Sequence, residues 1–282
     1  MNNQQTWTEE IKSKNSLFSI NLKEIWHYRD LLLMLVKRDY VTFYKQTILG
    51  PIWFFVQPIL TTVTYLVLFG QIAKLSTDGA PQIAFYLAGI TIWNYFSEAL
   101  NKTSTVFKDN SNLFGKVYFP RLIMPLAIVV SGLMKFSIQF LLFLVIVCYF
   151  AFVEKNIHPN LWILFTPFLV LLMACFALGM GMIFSSLTTK YKDLIFLLTF
   201  GINLFMYATP VVYPSSAIPA KYSWLLQINP LTGIFECFRY AYLGTGSFNS
   251  LSLWISAIEI SVILIFGMLI YNKVEKSFMD TV

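Results

Sequence analysis

Lys135 and Glu259 are ionisable residues set inside long apolar runs. Two chemistries are open to such residues, an intramembrane ion pair or a step in a proton relay. Ser131 and Gln139, four residues to either side of Lys135, extend its polar stripe along one helix face. A relay needs further titratable groups in series, and the two histidines, His27 and His158, fall outside the apolar runs. A Lys135–Glu259 pair is therefore the expectation. The alternative is that each side chain snorkels or faces a wet cavity separately. Other chemistry cannot be assembled. The one Gly-Lys pair is Gly115–Lys116, and Asn110 stands where a phosphate-binding loop needs its first glycine. There is no HExxH, no GxSxG and no clustered Cys/His set. Cys148, Cys175 and Cys237 have neither metal spacing nor the look of a disulfide framework. No catalytic residue, metal or cofactor is expected.

The elements that must position these charges follow from the solvent the chain lives in. Apolar residues make up 57% and charged residues 12%, against about 45–50% and about 25% in soluble domains. That composition predicts an all-α polytopic membrane protein. Six runs approach the ~20 apolar residues a crossing helix needs, at about 51–73, 82–101, 122–153, 161–187, 194–212 and 251–272. At about 1.5 Å per residue, Lys135 and Glu259 would each sit roughly 20 Å deep. No internal repeat is visible, so residues 51–275 read as one transmembrane domain, with a cytoplasmic tail at 276–282. With the N-terminus in the cytoplasm, 15 of the 20 Lys and Arg residues fall on the cytoplasmic side. That bias predicts an N-in, C-in orientation. It also accounts for most of the +6 net charge without any nucleic acid.

Two further segments are helical in pattern but do not cross. Within the cytoplasmic residues 1–50, the stretch at about 21–46 repeats Leu22, Trp26, Leu33, Val36, Tyr40 and Tyr44 on one side, with Asn21 and Glu24 spaced as a capping box. It is too charged to cross and reads as an amphipathic helix in the interface. On the outer side, residues 213–247 hold a helix of about 14 residues, capped by Asn229, with Pro230 in its first turn and Gly244 at its end. It is too short to cross and too apolar to stand in water, so it reads as re-entrant and sheltered by protein. Aromatics are abundant. Trp53, Phe54 and Tyr65 fall in the first run, Tyr86 and Trp93 in the second, Phe205 and Tyr207 in the fifth. Interfacial belts, core packing or lipid contact would explain many of them. A sugar-lined conduit, with pyranose faces on aromatic rings, is the sharper reading.

Four stretches, in order, carry a resemblance. "RDLLLMLVKRDYVTFYKQTILGPIWFFVQPIL" (29–60), "KVYFPRLIMPLA" (116–127), "YATPVVYP" (207–214) and "WLLQINPLTGIFECFRYAYLG" (224–244) resemble the permease subunits of ABC-2 polysaccharide exporters, which serve O-antigen, capsule and teichoic acid. The resemblance implies a multi-pass protein of the bacterial inner (plasma) membrane, in contact with its lipids. It implies a homodimer with two copies of a separate ATP-binding subunit, and a lipid-linked glycan moving through a channel at the dimer interface lined by the first and fifth spans. By position, the coupling helix is about 103–121, with Asp109, Asn110, Leu113, Phe114, Lys116 and Tyr118 as contacts to the ATPase. Arg38 and Lys45 would meet the lipid pyrophosphate. The outer gate is about 214–244, with Tyr213, Pro214, Trp224, Asn229 and Pro230 in or beside it. Within this class the alternative is an ABC-2 exporter of a drug or small lipid. From other classes they are a polytopic membrane glycosyltransferase, which would need acidic pairs on a loop, and an ion-coupled secondary transporter.

Overall fold

The computed structural model describes residues 22–45, 52–114, 116–117, 119–246 and 248–278, and every described element is a helix. In chain order they are α1 (Leu22–His27), α2 (Arg29–Lys45), α3 (Trp53–Tyr65), α4 (Gln82–Ser104), α5 (Val106–Asp109), α6 (Ser111–Phe114), α7 (Ile123–Tyr149), α8 (Thr166–Lys190), α9 (Leu194–Ala208), α10 (Ser223–Ile228), α11 (Thr232–Leu243) and α12 (Ser250–Phe278). Wider π turns extend α3 to Ile72 and α7 to Glu154. The expected N-terminal helix is two helices, broken at a turn on Tyr28. Pro58 is accommodated inside α3, where Thr61, Thr62 and Thr64 bond back to carbonyls four residues earlier.

Among the described residues, four helical stretches are long and apolar enough to cross a membrane: Trp53–Ile72, Ile123–Glu154, Leu161–Lys190 and Ser250–Val274. The other two expected crossings differ for physical reasons. α4 carries Asn94, Glu98, Asn101 and Lys102, which lower its hydropathy, yet it is buried along nearly its whole length. It packs on α3, α7, α8, α9 and α11, so its surroundings are protein. Asn94, Glu98, Asn101 and Lys102 have partners, while the Tyr86 and Thr103 hydroxyls are buried without one among the described residues. α9 ends at Ala208 rather than at 212, because Thr209 leaves helical dihedrals ahead of Pro210. Its 15 residues rise about 22 Å, short of an apolar slab of about 30 Å.

Successive long helices run in alternate directions. One end of the bundle gathers α5, α6 and the last turns of α8 and α12, where the Thr188 hydroxyl donates to the Ser104 carbonyl at 2.8 Å. The opposite end gathers residues 73–81, 154–165 and 209–249, where Asn160 donates to the Tyr240 carbonyl at 2.8 Å. α8 and α12 touch backbone to backbone. A Cβ on Gly267 would strike the Gly179 carbonyl, and one on Gly179 would come 2.8 Å from the Leu264 Cα. Such close approach between membrane helices is favoured by small residues.

Candidate functional site

Lys135 of α7 meets a carboxylate, and that carboxylate is Glu98 of α4. Lys135 Nζ lies 2.7 Å from Glu98 Oε2, and the other oxygen accepts from Lys102 at 2.9 Å. Phe54 of α3 places its ring 5.9 Å below the ammonium. The expected Lys135–Glu259 pair is not formed. α7 packs on α4 and α2, whereas α12 packs chiefly on α8 and α11. Glu259 Oε2 is instead buried without a hydrogen-bond partner among the described residues. Nor is Lys135 isolated deep in an apolar layer. Ser131, one turn earlier, donates to Asp39 of α2 at 3.3 Å, and Asp39 holds Arg38 at 2.8 Å. Asp39, Tyr40, Phe54, Glu98, Lys102 and Lys135 line an open recess between α2, α3, α4 and α7. Arg38 is thus tied to its own neighbour, while Lys45, the last residue of α2, is exposed.

The segment between α4 and α7 is a knob with an aromatic root. Phe107 of α5 is 1% exposed and stacks on Tyr271 of α12, with centroids 4.5 Å apart. Phe114 packs on Phe107 and Phe119, and the Arg121 guanidinium lies 5.7 Å over its ring. Tyr271 closes the arrangement by donating to the Arg121 carbonyl at 3.3 Å. At the tip, Lys108, Asp109, Lys116 and Val117 are exposed, while Leu113 and Asn110 are half-buried. Asp109 accepts from Thr105 at 2.6 Å, and Asn110 donates to the Val106 carbonyl at 3.0 Å. Phe114 is therefore not a surface anchor. Its ring is 5% exposed and fastens the knob to the bundle. Tyr118 lies outside the described residues.

At the opposite end, residues 209–217 form a strap between α9 and α10. The Val211 amide returns to the Thr209 carbonyl at 2.6 Å, a three-residue turn around Pro210. Arg239 of α11 holds the strap, donating to the Val211 and Tyr213 carbonyls, the latter at 3.1 Å. Its guanidinium lies 3.8 Å over Phe85 of α4. Burial pulls Arg239 down to about 9, opposed by Glu236 and then Asp78, so it stays charged at neutral pH. Burial also raises the Glu236 carboxyl above its ordinary value, against a hydrogen bond from Ser215 and the charge of Arg239. Gly89 of α4 lets the strap pass, since a Cβ there would strike the Val211 carbonyl and come 3.2 Å from Arg239.

Asn229 does not start α11 as a direct cap. It is buried between helices, accepting from the Leu231 amide at 3.0 Å and donating to Thr209 Oγ1 at 2.9 Å. The helix begins only at Thr232. Pro214 and Pro230 are buried, Tyr213 donates to the Tyr207 carbonyl at 2.9 Å, and Trp224 stands exposed.

The model of the ABC-2 type transporter family matches residues 30–243, which include the recess, the knob and the strap. The chain belongs to the ABC-2 type transporter family. It is a multi-pass membrane protein. It is 28% identical over 265 residues to an O-antigen export system permease protein of Klebsiella pneumoniae, covering 93% of this chain and 99% of the relative. A Myxococcus xanthus protein of the same name is 28% identical, over 77% of this chain and 82% of its own length. The polysialic acid transport protein of Escherichia coli is 22% identical, over 83% and 89%.

In this ABC-2 chain the seven aromatics singled out from sequence divide by burial. Trp53 and Tyr207 are exposed, and Tyr65 and Phe205 are half-buried, with Tyr65 donating to the Met206 sulfur at 3.3 Å. Phe54, Tyr86 and Trp93 are buried. Trp93 packs on Phe96 and Phe205, and Tyr86 is closed in beside Phe85. Trp93 and Tyr86 face protein, and Phe54 lines the recess beside Lys135. One open aromatic face is on α9, where Phe196, Phe200 and Tyr207 are exposed. Sequence reasoning missed Glu98, Arg239 and Gly89 as site residues. Glu98 had a signal, a carboxylate four residues before Lys102. So did Arg239, one turn beyond Glu236 in an otherwise apolar helix.

Proposed function

We propose that the chain is the permease subunit of an ATP-driven exporter that moves a lipid-linked polysaccharide across the bacterial inner membrane. The observation that carries this reading is the end-to-end likeness to an O-antigen export permease, over 93% of this chain and 99% of the relative. The chain has no phosphate-binding loop of its own, so ATP hydrolysis belongs to a separate subunit, two copies of which serve a homodimer of this chain. The permease itself has no catalytic activity.

On this reading six helices cross, with both termini in the cytoplasm. α4 crosses enclosed by its neighbours and α9 as the shortest of the six. The exposed faces of α3 and α9 line the polymer path between two copies. α2 lies in the cytoplasmic interface, where Arg38 and Lys45 meet lipid phosphates. The knob docks on the ATPase through Lys108, Asp109, Lys116 and Val117, an exposed apolar residue among charges. The strap, α10 and α11 form the gate at the outer end.

Deletion of the gene, with analysis of surface polymer, tests the reading. Loss of surface polysaccharide with intracellular accumulation is expected, together with capture of an ATP-binding protein by the detergent-extracted chain. Normal surface polymer with lost efflux of a drug or small lipid would replace the polysaccharide by that cargo. Sugar transfer by the purified chain, with no ATP-binding partner, would make it a glycosyltransferase.

A further inference from the structure

The strap is fastened on two sides by side chains from separate elements. On the inner side Arg239, 5% exposed, holds the carbonyls of Val211 and Tyr213, and Glu236 one turn earlier accepts from Ser215. On the outer side Asp78, in the connection between α3 and α4, takes the Ser216 hydroxyl with both carboxylate oxygens, at 2.7 and 2.9 Å. Asp78 and Gly79 both have positive φ, +52° and +82°, so the connection doubles back where it meets the strap. Side chains from α11 and from this turn thus grip residues 211, 213, 215 and 216.

The two fastenings differ in strength. A guanidinium enclosed in protein exchanges its carbonyl partners slowly, since release would leave buried polar groups unpaired. The contact of exposed Ser216 with half-buried Asp78 lies at the surface and trades with water at lower cost. Between them lies a narrow recess, open to solvent, bounded by Asp78, Phe85, Pro214, Ser215, Glu236 and Arg239. Release at Asp78 would let the strap move away from that recess while Arg239 still holds its root. Beyond the strap is α10, whose Trp224, Leu225 and Ile228 are exposed, so α10 is carried by any such movement.

We propose that residues 209–217 are a latch, with Arg239 as its hinge and Asp78–Ser216 as its catch, and that opening the catch is the step that clears the outer end for cargo. The second half of this proposal rests on the reading of the chain as an exporter whose outer end is the exit.

The test uses the full chain in its assembled exporter in cells, in a background with Cys148, Cys175 and Cys237 replaced by Ala. The first measurement is independent of export. Labelling of a Val212→Cys variant by a membrane-impermeant maleimide reports strap opening, because Val212 is buried with the catch closed. Adding Asp78→Ala, a change at a half-buried turn position, should raise the labelling rate at least fivefold. Equal rates overturn the latch. The second measurement is an oxidative lock between Asp78→Cys and Ser216→Cys. Locking should cut surface polymer at least tenfold, and a reductant should restore it. Full export by completely locked protein overturns the role of the catch in opening. A parent strain that displays no polymer even when unlocked would overturn the export reading, and the labelling comparison would still decide the latch.

Discussion

Arg239 and Lys116 are both basic residues at an end of an apolar helical bundle, and they are treated in opposite ways. Arg239 is enclosed, lies flat over Phe85 and spends its donors on two backbone carbonyls. Lys116 stands in solvent at the tip of a knob whose own fastening is aromatic, through Phe107, Phe114 and Tyr271. At the strap end the charge is the fastening and apolar side chains surround it. At the knob end the apolar stack is the fastening and the charges are left free of the core. An enclosed charge with fixed partners favours one arrangement, because release would leave two carbonyls unpaired besides the Arg239 Nε that already lacks a partner among the described residues. An exposed charge over a rigid root can change partners at little desolvation cost, which would suit the docking role proposed for it.

That contrast breaks most readily at Arg239. Arg239→Ala orphans two buried carbonyls at about 1–3 kcal/mol each, so thermal unfolding in detergent should show a loss of about 2–6 kcal/mol. A loss below about 1 kcal/mol would mean that the strap is not held by this residue. Phe107→Ala removes a fully buried ring and should cost about 3–5 kcal/mol, in the same assay. The two variants separate in character. Phe107→Leu should recover most of the knob's stability, because volume and apolarity suffice there. Arg239→Lys should recover less than half, because one ammonium cannot reproduce the planar fork that spans two carbonyls.

Lys135 and Glu98 lie between these extremes, and they sharpen the comparison. Their side chains are 18% and 24% exposed, and Lys102 shares the carboxylate. Lys135→Ala should therefore cost about 2–3 kcal/mol, below the ~3–5 expected for breaking a fully enclosed pair. Charge exchange tests the partner directly. Lys135→Glu with Glu98→Lys should restore assembly lost in either single change. Lys135→Glu with Glu259→Lys should restore none. Rescue by the second pair would show that α7 and α12 approach each other in the working protein.

These outcomes also separate what was legible in the sequence from what was not. Long apolar runs announce helices because lipid offers backbone groups no other partner, so the helical class and the four long apolar helices could be read directly. The charges beside a run starting near Leu122 made a boundary legible there, and the knob itself came only from the resemblance. Which way Phe114 faces was not, since Tyr271, distant in sequence, closes the other side of the stack. The partner of Lys135 was equally hidden. Glu98 and Glu259 are both carboxylates in apolar surroundings, and only the packing of α7 on α4 chooses between them. Arg239 could have been flagged by its i, i+3 relation to Glu236. What it holds are main-chain carbonyls of the strap, and carbonyls leave no mark in an amino-acid sequence. Gly89 was invisible for the same reason, since its role is to let that backbone past.

The smallest effect on stability carries the largest functional meaning. Lys116→Ala and Val117→Ser change exposed positions, Val117 being 55% exposed, so each should alter unfolding by no more than about 0.5 kcal/mol. If the knob is the surface that receives the ATP-binding subunit, the double variant should still fold, reach the membrane and resist heat as the parent does. It should nevertheless capture less of that subunit and export at least threefold less polymer. A comparable double change on α10, Trp224→Ser with Leu225→Ser, is a matched control on exposed apolar residues at the opposite end. It should leave capture of the subunit intact. Should the α10 pair weaken capture while the knob pair does not, the assignment of the two ends would have to be exchanged, because docking follows the exposed surface and not the motif that first drew attention to it.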